Sequence, residues 1–141
     1  MSVVLVGVDD ARVKKLAFNL ATSLKVSFVD AQETFNQAII GTVNFPLEDM
    51  NSQLNKKEIS LIKKLNAIPN AVIFIPNDMF ISNKNYLELK NLFKILVEFS
   101  PNDELGRGLE RFMVKFCDEK VKFSKSCANE ILHLLRGKNG K

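Results

Sequence analysis

Short apolar runs punctuate the chain at regular intervals. Val3-Val4-Leu5-Val6 ends at Gly7, and Val26-Ser27-Phe28-Val29 ends at Asp30. Ala71-Val72-Ile73-Phe74-Ile75 runs into Pro76-Asn77-Asp78, and Ile95-Leu96-Val97-Glu98-Phe99 runs into Ser100-Pro101. Near-continuous β-branched and aliphatic runs of this length suit strands buried on both faces. Val121-Lys122-Phe123 is a shorter fifth candidate. Between the runs the apolar spacing changes to that of a helix. Val13, Leu16, Ala17, Leu20 and Leu24 share one face, with Asp10 as the expected N-cap. Further helices are predicted over Thr34 to Ile40, Lys56 to Leu65, Asn85 to Phe93 and Asp103 to Phe116. Gly106 and Gly108 weaken the last of these by up to about 1 kcal/mol each against Ala. A final helix starts at Ser124 and is expected to stop at Gly137.

Strands alternating with helices predict a three-layer α/β/α fold on a five-stranded parallel sheet. The expected organisation is one domain over 1–136, followed by a flexible tail over 137–141. The 141 residues suffice for a core without disulfide or metal staples. Hydrophobic residues make up 46%, too many for a disordered chain. No apolar run approaches the roughly 20 residues of a membrane span. The start lacks a basic leader, and the expected location is the cytoplasm.

Charge and cysteine usage narrow the chemistry. Twenty Lys+Arg against 16 Asp+Glu give +4, with the two signs interspersed rather than gathered into a basic stripe. Nucleic acid is therefore not an expected partner. The basic tail Arg136 to Lys141 reads as a solvated terminus. Cys117, Cys127 and the single His133 are too few and too far apart for structural zinc, and no metal is expected. Both cysteines read as reduced helix-face residues, and His133 as a helix residue without a catalytic partner.

In a parallel α/β sheet, ligands bind at the carboxyl ends of the strands. A strand, a glycine and a helix form the setting of a phosphate-binding loop, GxxxxGK[ST], whose backbone N–H groups wrap a phosphate. Counted from Gly7, the second glycine is Arg12, the lysine is Val13 and the hydroxyl position is Lys14. Asp9 and Asp10 also place two carboxylates where an anion should rest.

A family resemblance rests on these same segments. Val4-Leu5-Val6-Gly7, then Leu16-Ala17-Phe18-Asn19-Leu20-Ala21, then Val26 to Asp30 resemble the amino-terminal half of shikimate kinases, which read roughly LVGxxGxGKST, LA..L and FxDxD. Ala71 to Asp78, Ile95 to Asp103 and Ser124 to Leu135 resemble the family's later strands and last helix, so nearly the whole chain is covered. The resemblance implies that fold. It also implies that the active-site parts are missing. Asp30 retains the first acid of DxD, while the second, which grips substrate hydroxyls, is Gln32. The Gly-Gly-Gly turn is Pro76-Asn77-Asp78, and no arginine stands near Asn55-Lys56 for the substrate carboxylate. Only Cys117-Asp118-Glu119-Lys120 lies where the lid belongs.

The expectation is thus a catalytically inactive, shikimate-kinase-like protein with no catalytic, cofactor-binding or metal-binding residues. ATP and Mg²⁺ are not expected to bind, and a protein partner is. The candidate partner-binding rim is Asp9, Asp10, Arg12, Gln32, Asn77, Asp78, Met79 and Phe80. Thr42-Val43-Asn44-Phe45-Pro46-Leu47 is an insert whose apolar residues form either a second contact patch or, as favoured, packing on the sheet. One alternative is a non-catalytic sensor of a nucleotide or other small ligand. Another follows from the likeness of Val4 to Asp10 to response-regulator receivers, with Asp78 as phosphoacceptor and Ser100 as the later hydroxyl. The strand ending at Asp30 and the long segment 41–69 fit a receiver poorly.

Overall fold

The computed structural model describes residues 2–40 and 47–139. Five strands are β1 (Val3–Val6), β2 (Ser27–Asp30), β3 (Ala71–Phe74), β4 (Phe93–Glu98) and β5 (Glu119–Lys122). The helices are α1 (Asp10–Leu24), α2 (Ala31–Ala38), α3 (Leu47–Leu65), α4 (Asn77–Ile81), α5 (Asn85–Glu88), α6 (Glu104–Val114) and α7 (Cys127–Asn139). The sheet is parallel throughout, in the order β2-β3-β1-β4-β5. A receiver has the order 2-1-3-4-5. Here β3 stands between β1 and β2, so the receiver alternative is set aside by topology.

The apolar runs are continuous because both faces of the sheet are covered. Val3 and Leu5 of β1 point to one face with Val72, Phe74, Ile95, Val97 and Val121. That face packs under α1 and α7, through Val13, Leu16, Leu20, Ile131 and Leu135. Val4 and Val6 point to the other face with Ile73, Ile75 and Leu96. There they meet Leu61, Ile62 and Leu65 of α3, Met79 and Phe80 of α4, and Met113 of α6. Burying each such side chain contributes about 1.5–3 kcal/mol. Tyr86 joins α5 to α6, its ring 5.4 Å from Phe112 and 4.1 Å from Phe116.

Several expected boundaries move, each for a local reason. Asp9, not Asp10, caps α1: its side chain accepts from the Arg12 N–H, freeing the Asp10 carboxylate for a longer-range role. Asp30 caps α2 by accepting from the N–H groups of Gln32 and Glu33, so that helix begins at Ala31. The helix predicted over Asn85 to Phe93 is a single turn, because Leu89 and Leu92 go into the core and Phe93 already opens β4. Cys117 lies in the turn after α6 rather than on a helix face. The last helix continues past Gly137 to Asn139, so 137–139 are helical rather than a loose tail. Residues 42–46 of the insert lie outside the described residues, and Leu47 opens α3.

The edge strand β5 is charged at three of its four positions, Glu119, Lys120 and Lys122, with Val121 buried. Charges on an edge discourage pairing with another sheet. Along β4, the alternation places a lysine inside. Lys94 is 7% exposed. Its ammonium donates to the carbonyls of Leu89 and Leu92, both at 2.9 Å, and lies 3.3 Å from Asp118 Oδ2. The Lys94 N–H donates to that same carboxylate at 2.8 Å. One side chain thereby satisfies the turn before β4 and anchors the turn before β5. Lys94→Ala leaves both carbonyls without a charged donor. The expected loss is about 2–4 kcal/mol, read as a lower urea midpoint with unchanged slope, and a loss within experimental error would refute the assigned role.

Candidate functional site

The carboxyl ends of β1, β3 and β4 converge on the turn between β1 and α1. That turn is only Gly7-Val8-Asp9. Gly7 is forced by close packing: an added Cβ would meet the Val97 carbonyl oxygen at 2.7 Å, with Val13 Cγ2 at 3.0 Å and Phe99 Cε2 at 3.1 Å. Position 7 therefore excludes a side chain, and α1 begins three residues later. At the helix start, Asp9 accepts from the Arg12 N–H at 3.2 Å. A carboxylate of this chain thus takes one of the helix-terminal donors and lies at the positive end of the helix dipole.

The opposite wall is sealed by a second interaction. Asp10 Oδ1 accepts from the Asn77 backbone N–H at 3.0 Å and from Asn77 Nδ2 at 3.0 Å. The same amide nitrogen lies 3.4 Å from the Gly7 and Val8 carbonyls. Asn77 thus ties the first turn of α4 to the β1–α1 turn. Burial raises the Asp10 carboxyl above its ordinary 3.8; the Asn77 hydrogen bonds oppose this, and the charges of Asp78 and Asp9 add to it.

Asp30 is buried and paired. Its Oδ2 lies 2.9 Å from the Lys14 ammonium, while Oδ1 caps α2. The Asp30 hydrogen bond and charge raise the Lys14 pKa above 10.5. On the other side of α1, Arg12 pairs with Asp9 at 3.4 Å and lies over the Phe123 ring, 5.5 Å from its centroid. Phe123 stacks on Phe99 at 4.9 Å.

The expected rim therefore divides into three parts. Asp10, Gln32 and Asp78 share one shallow cavity of about 250 Å³ with Lys14, Asp30 and Pro76. Asp9 and Arg12 belong to the opposite flank, where Arg12 lines a cavity of about 400 Å³ with Lys15, Phe123, Lys125 and Cys127. Met79 and Phe80 are not on the rim: at 4% and 0% exposure they are core residues of α4. Pro76 caps the start of α4, and the inward turn of that helix brings Met79 and Phe80 under the sheet. Asn77 is half-buried and spent on Asp10. The sequence reading missed this bridge and the Lys14–Asp30 pair, because both join residues distant in the chain. Among the described residues, no group of three His, Cys, Asp or Glu side chains converges to hold a metal ion. No helix there is long and apolar enough to cross a membrane. His133 is exposed on α7, and Cys127 is buried. Burial pushes the Cys117 thiol up to about 12, so it is protonated and weakly nucleophilic at neutral pH.

Two outcomes are expected. Asp10→Asn keeps an oxygen to accept from Asn77 and removes a charge facing Asp78 and Asp9. Its thermal stability at pH 7 should equal or exceed that of the unmodified protein, whereas Asp10→Ala should lose about 1–3 kcal/mol. The sign with pH follows from the raised carboxyl. The folded state holds the Asp10 proton more tightly than the unfolded chain, so this contribution is favourable below pH 3.8 and is lost as pH rises through the folded value. Asp10→Asn should remove that component from the acid limb of a stability–pH curve, and an Asn variant less stable at pH 7 contradicts the assignment. Cys117 should resist alkylation in the native protein at pH 8 and react once urea unfolds it; native labelling at the unfolded rate would exclude its burial.

No protein-family model matches the chain, and no curated protein matches it. Solved structures do. The chain is similar to the shikimate kinase of Aquifex aeolicus VF5, with a TM-score of 0.73 and 19% identity over 99% of this chain and 98% of that one. It is similar to the shikimate kinase of Acinetobacter baumannii solved in complex with shikimate, with a TM-score of 0.69 and 14% identity over 99% and 95% of the two chains. The shikimate kinase of Bacteroides thetaiotaomicron gives 0.66 and 11% over 100% and 99%. The strand order, the parallel sheet and these end-to-end superpositions establish that the chain has the shikimate kinase fold.

Proposed function

We propose that this protein is a catalytically inactive, shikimate-kinase-like pseudoenzyme that serves in the cytoplasm as a protein-interaction or scaffold component. The observation that carries the reading is the three-residue turn Gly7-Val8-Asp9, closed on one side by the Asp9 cap and on the other by the Asp10–Asn77 bridge. A phosphate-binding loop needs a longer, glycine-rich path with free N–H groups and a lysine. Here one helix-terminal donor, the Arg12 N–H, is taken by a carboxylate, and a second acid stands beside it. Four residues, 115–118, join α6 to β5, leaving no length for a lid. Phosphoryl transfer relies on positioning and charge stabilisation by such parts, so their joint absence supports a chain that has stopped performing it. The exposed remainder of the rim, Arg12, Gln32 and Asp78, with the half-buried Asp9 beside Arg12, is left for a partner.

A second reading, a non-catalytic small-ligand sensor, is favoured by one feature: the cavity of about 400 Å³ between α1 and the start of α7, which is partly apolar and carries Arg12 and Lys15. Calorimetry with Mg-ATP and with shikimate, together with a phosphotransfer assay, tests the proposal. No heat of binding and no phosphorylated shikimate are expected. Micromolar affinity for Mg-ATP or turnover would overturn the pseudoenzyme reading. A nucleotide-dependent rise in melting temperature without turnover would replace the scaffold with the sensor.

A further inference from the structure

Three residues of α6, Leu105, Gly108 and Arg111, lie on one side of the helix, with Arg111 in the last turn, where a cation suits the helix dipole. Leu105 is 85% exposed, the most exposed large apolar side chain among the described residues. Gly108 follows one turn later. Glycine is the least favourable helix-interior residue after proline, so a helical glycine calls for a reason. Gly106 has one: an added Cβ would meet Asp103 Oδ1 and Pro101 Cγ at 2.9 Å. Gly108 has none, since the nearest atom to an added Cβ is Arg111 Nη2 at 3.9 Å. Arg111, one turn further, makes no side-chain hydrogen bond or ion pair among the described residues. Leu105, Gly108 and Arg111 thus form an outward ridge with a notch in the middle, and Leu109 lines the same open hollow.

The ridge borders a second hollow of about 350 Å³ between α6 and the sheet end, lined by Arg107, Arg111 and Lys120. Of the acids nearby, Glu110 is buried and accepts from the N–H groups of Phe99 and Ser100 at 2.9 and 3.2 Å. Glu98 lines this hollow beside the cations, and Glu104 lies at the amino end of the notch. The outward charge is therefore positive on the Arg111 side of the ridge and negative at its start.

We infer that the outer face of α6 is a docking surface for an acidic amphipathic helix of a protein partner. The notch at Gly108 admits the partner backbone closely, Leu105 and Leu109 receive an aliphatic side chain, and Arg111 with Arg107 and Lys120 receives its carboxylates. Helix-in-groove recognition uses this combination of spaced apolar anchors and flanking charge. Charge complementarity selects an acidic partner, and Glu104 sets its direction by repelling acids at one end. The inference rests on the interaction-module reading and names a surface separate from the strand-end rim.

The test uses the full-length protein and a fluorescein-labelled helical peptide built from Glu-Leu-Glu-Glu-Leu-Leu-Glu repeats, read by anisotropy. The peptide should bind, and Leu105→Glu, Arg111→Glu and Gly108→Leu should each weaken binding by about tenfold or more. Gly108→Leu is the decisive variant, because the site is open and a better helix former replaces glycine. It should fold with an equal or higher melting temperature and still lose the peptide. The proposal is overturned if the peptide fails to bind at about 1 mM, if Gly108→Leu binds it as well as the unmodified protein, or if polyglutamate binds equally. It is also overturned if the chain self-associates through this face and Gly108→Leu abolishes that instead. Mg-ATP binding with intact peptide docking would strike the pseudoenzyme reading alone.

Discussion

The fold depends on β1 being buried on both faces. Val3 to Val6 pair with β3 on one side and β4 on the other, and none of the four is more than 3% exposed. Everything at the carboxyl end of the sheet follows from how the chain leaves that strand. Gly7 lies close against Val97 and Phe99, and α1 begins three residues later. Its first residues must then satisfy the donors and acceptors crowded at that end. Asp9 does so locally and Asp10 across the sheet to Asn77. The carboxyl end of the sheet is in this way held together by the protein's own polar groups.

Much of this architecture was legible in the sequence. The strand runs were readable because both faces of a parallel sheet are apolar, which leaves continuous stretches such as Ala71 to Ile75. The α1 face was readable from Val13 to Leu20 because one helix packs on one side of the sheet. What escaped was set by contacts between distant positions. The periodicity through Leu87, Leu89, Leu92 and Phe93 is that of a helix, yet Phe93 belongs to a strand because it pairs with Val3. Met79 and Phe80 follow a turn-like Pro-Asn-Asp, and only the tertiary position of α4 makes them core. Lys94 sits inside an apolar strand without any local signal. Its place is determined by two carbonyls before the strand and a carboxylate after it.

The candidate site divides along the same line. Asp30 was readable as a strand end, and it also caps α2. Its partner Lys14 was not, since the pairing spans α1 and β2. The rim, seen in sequence as one patch, is split by α1 into an acidic hollow around Asp10, Asp30 and Asp78 and an aromatic flank where Arg12 covers Phe123. Shikimate kinases lend the chain a comparison for its scaffold at 11–19% identity, and the chemistry has to be argued from these side chains alone.

Glu110 adds a mechanical consequence. Its carboxylate reaches from α6 to the turn after β4, where it holds Ser100 at φ 48°, a left-handed conformation that a serine rarely adopts. The outer ridge of α6 and the end of β4 are thereby joined through one buried side chain. Glu110 thus ties α6 directly to the backbone of Phe99, whose ring stacks on Phe123 beneath Arg12. Two surfaces that look independent on the outside share a common strut beneath.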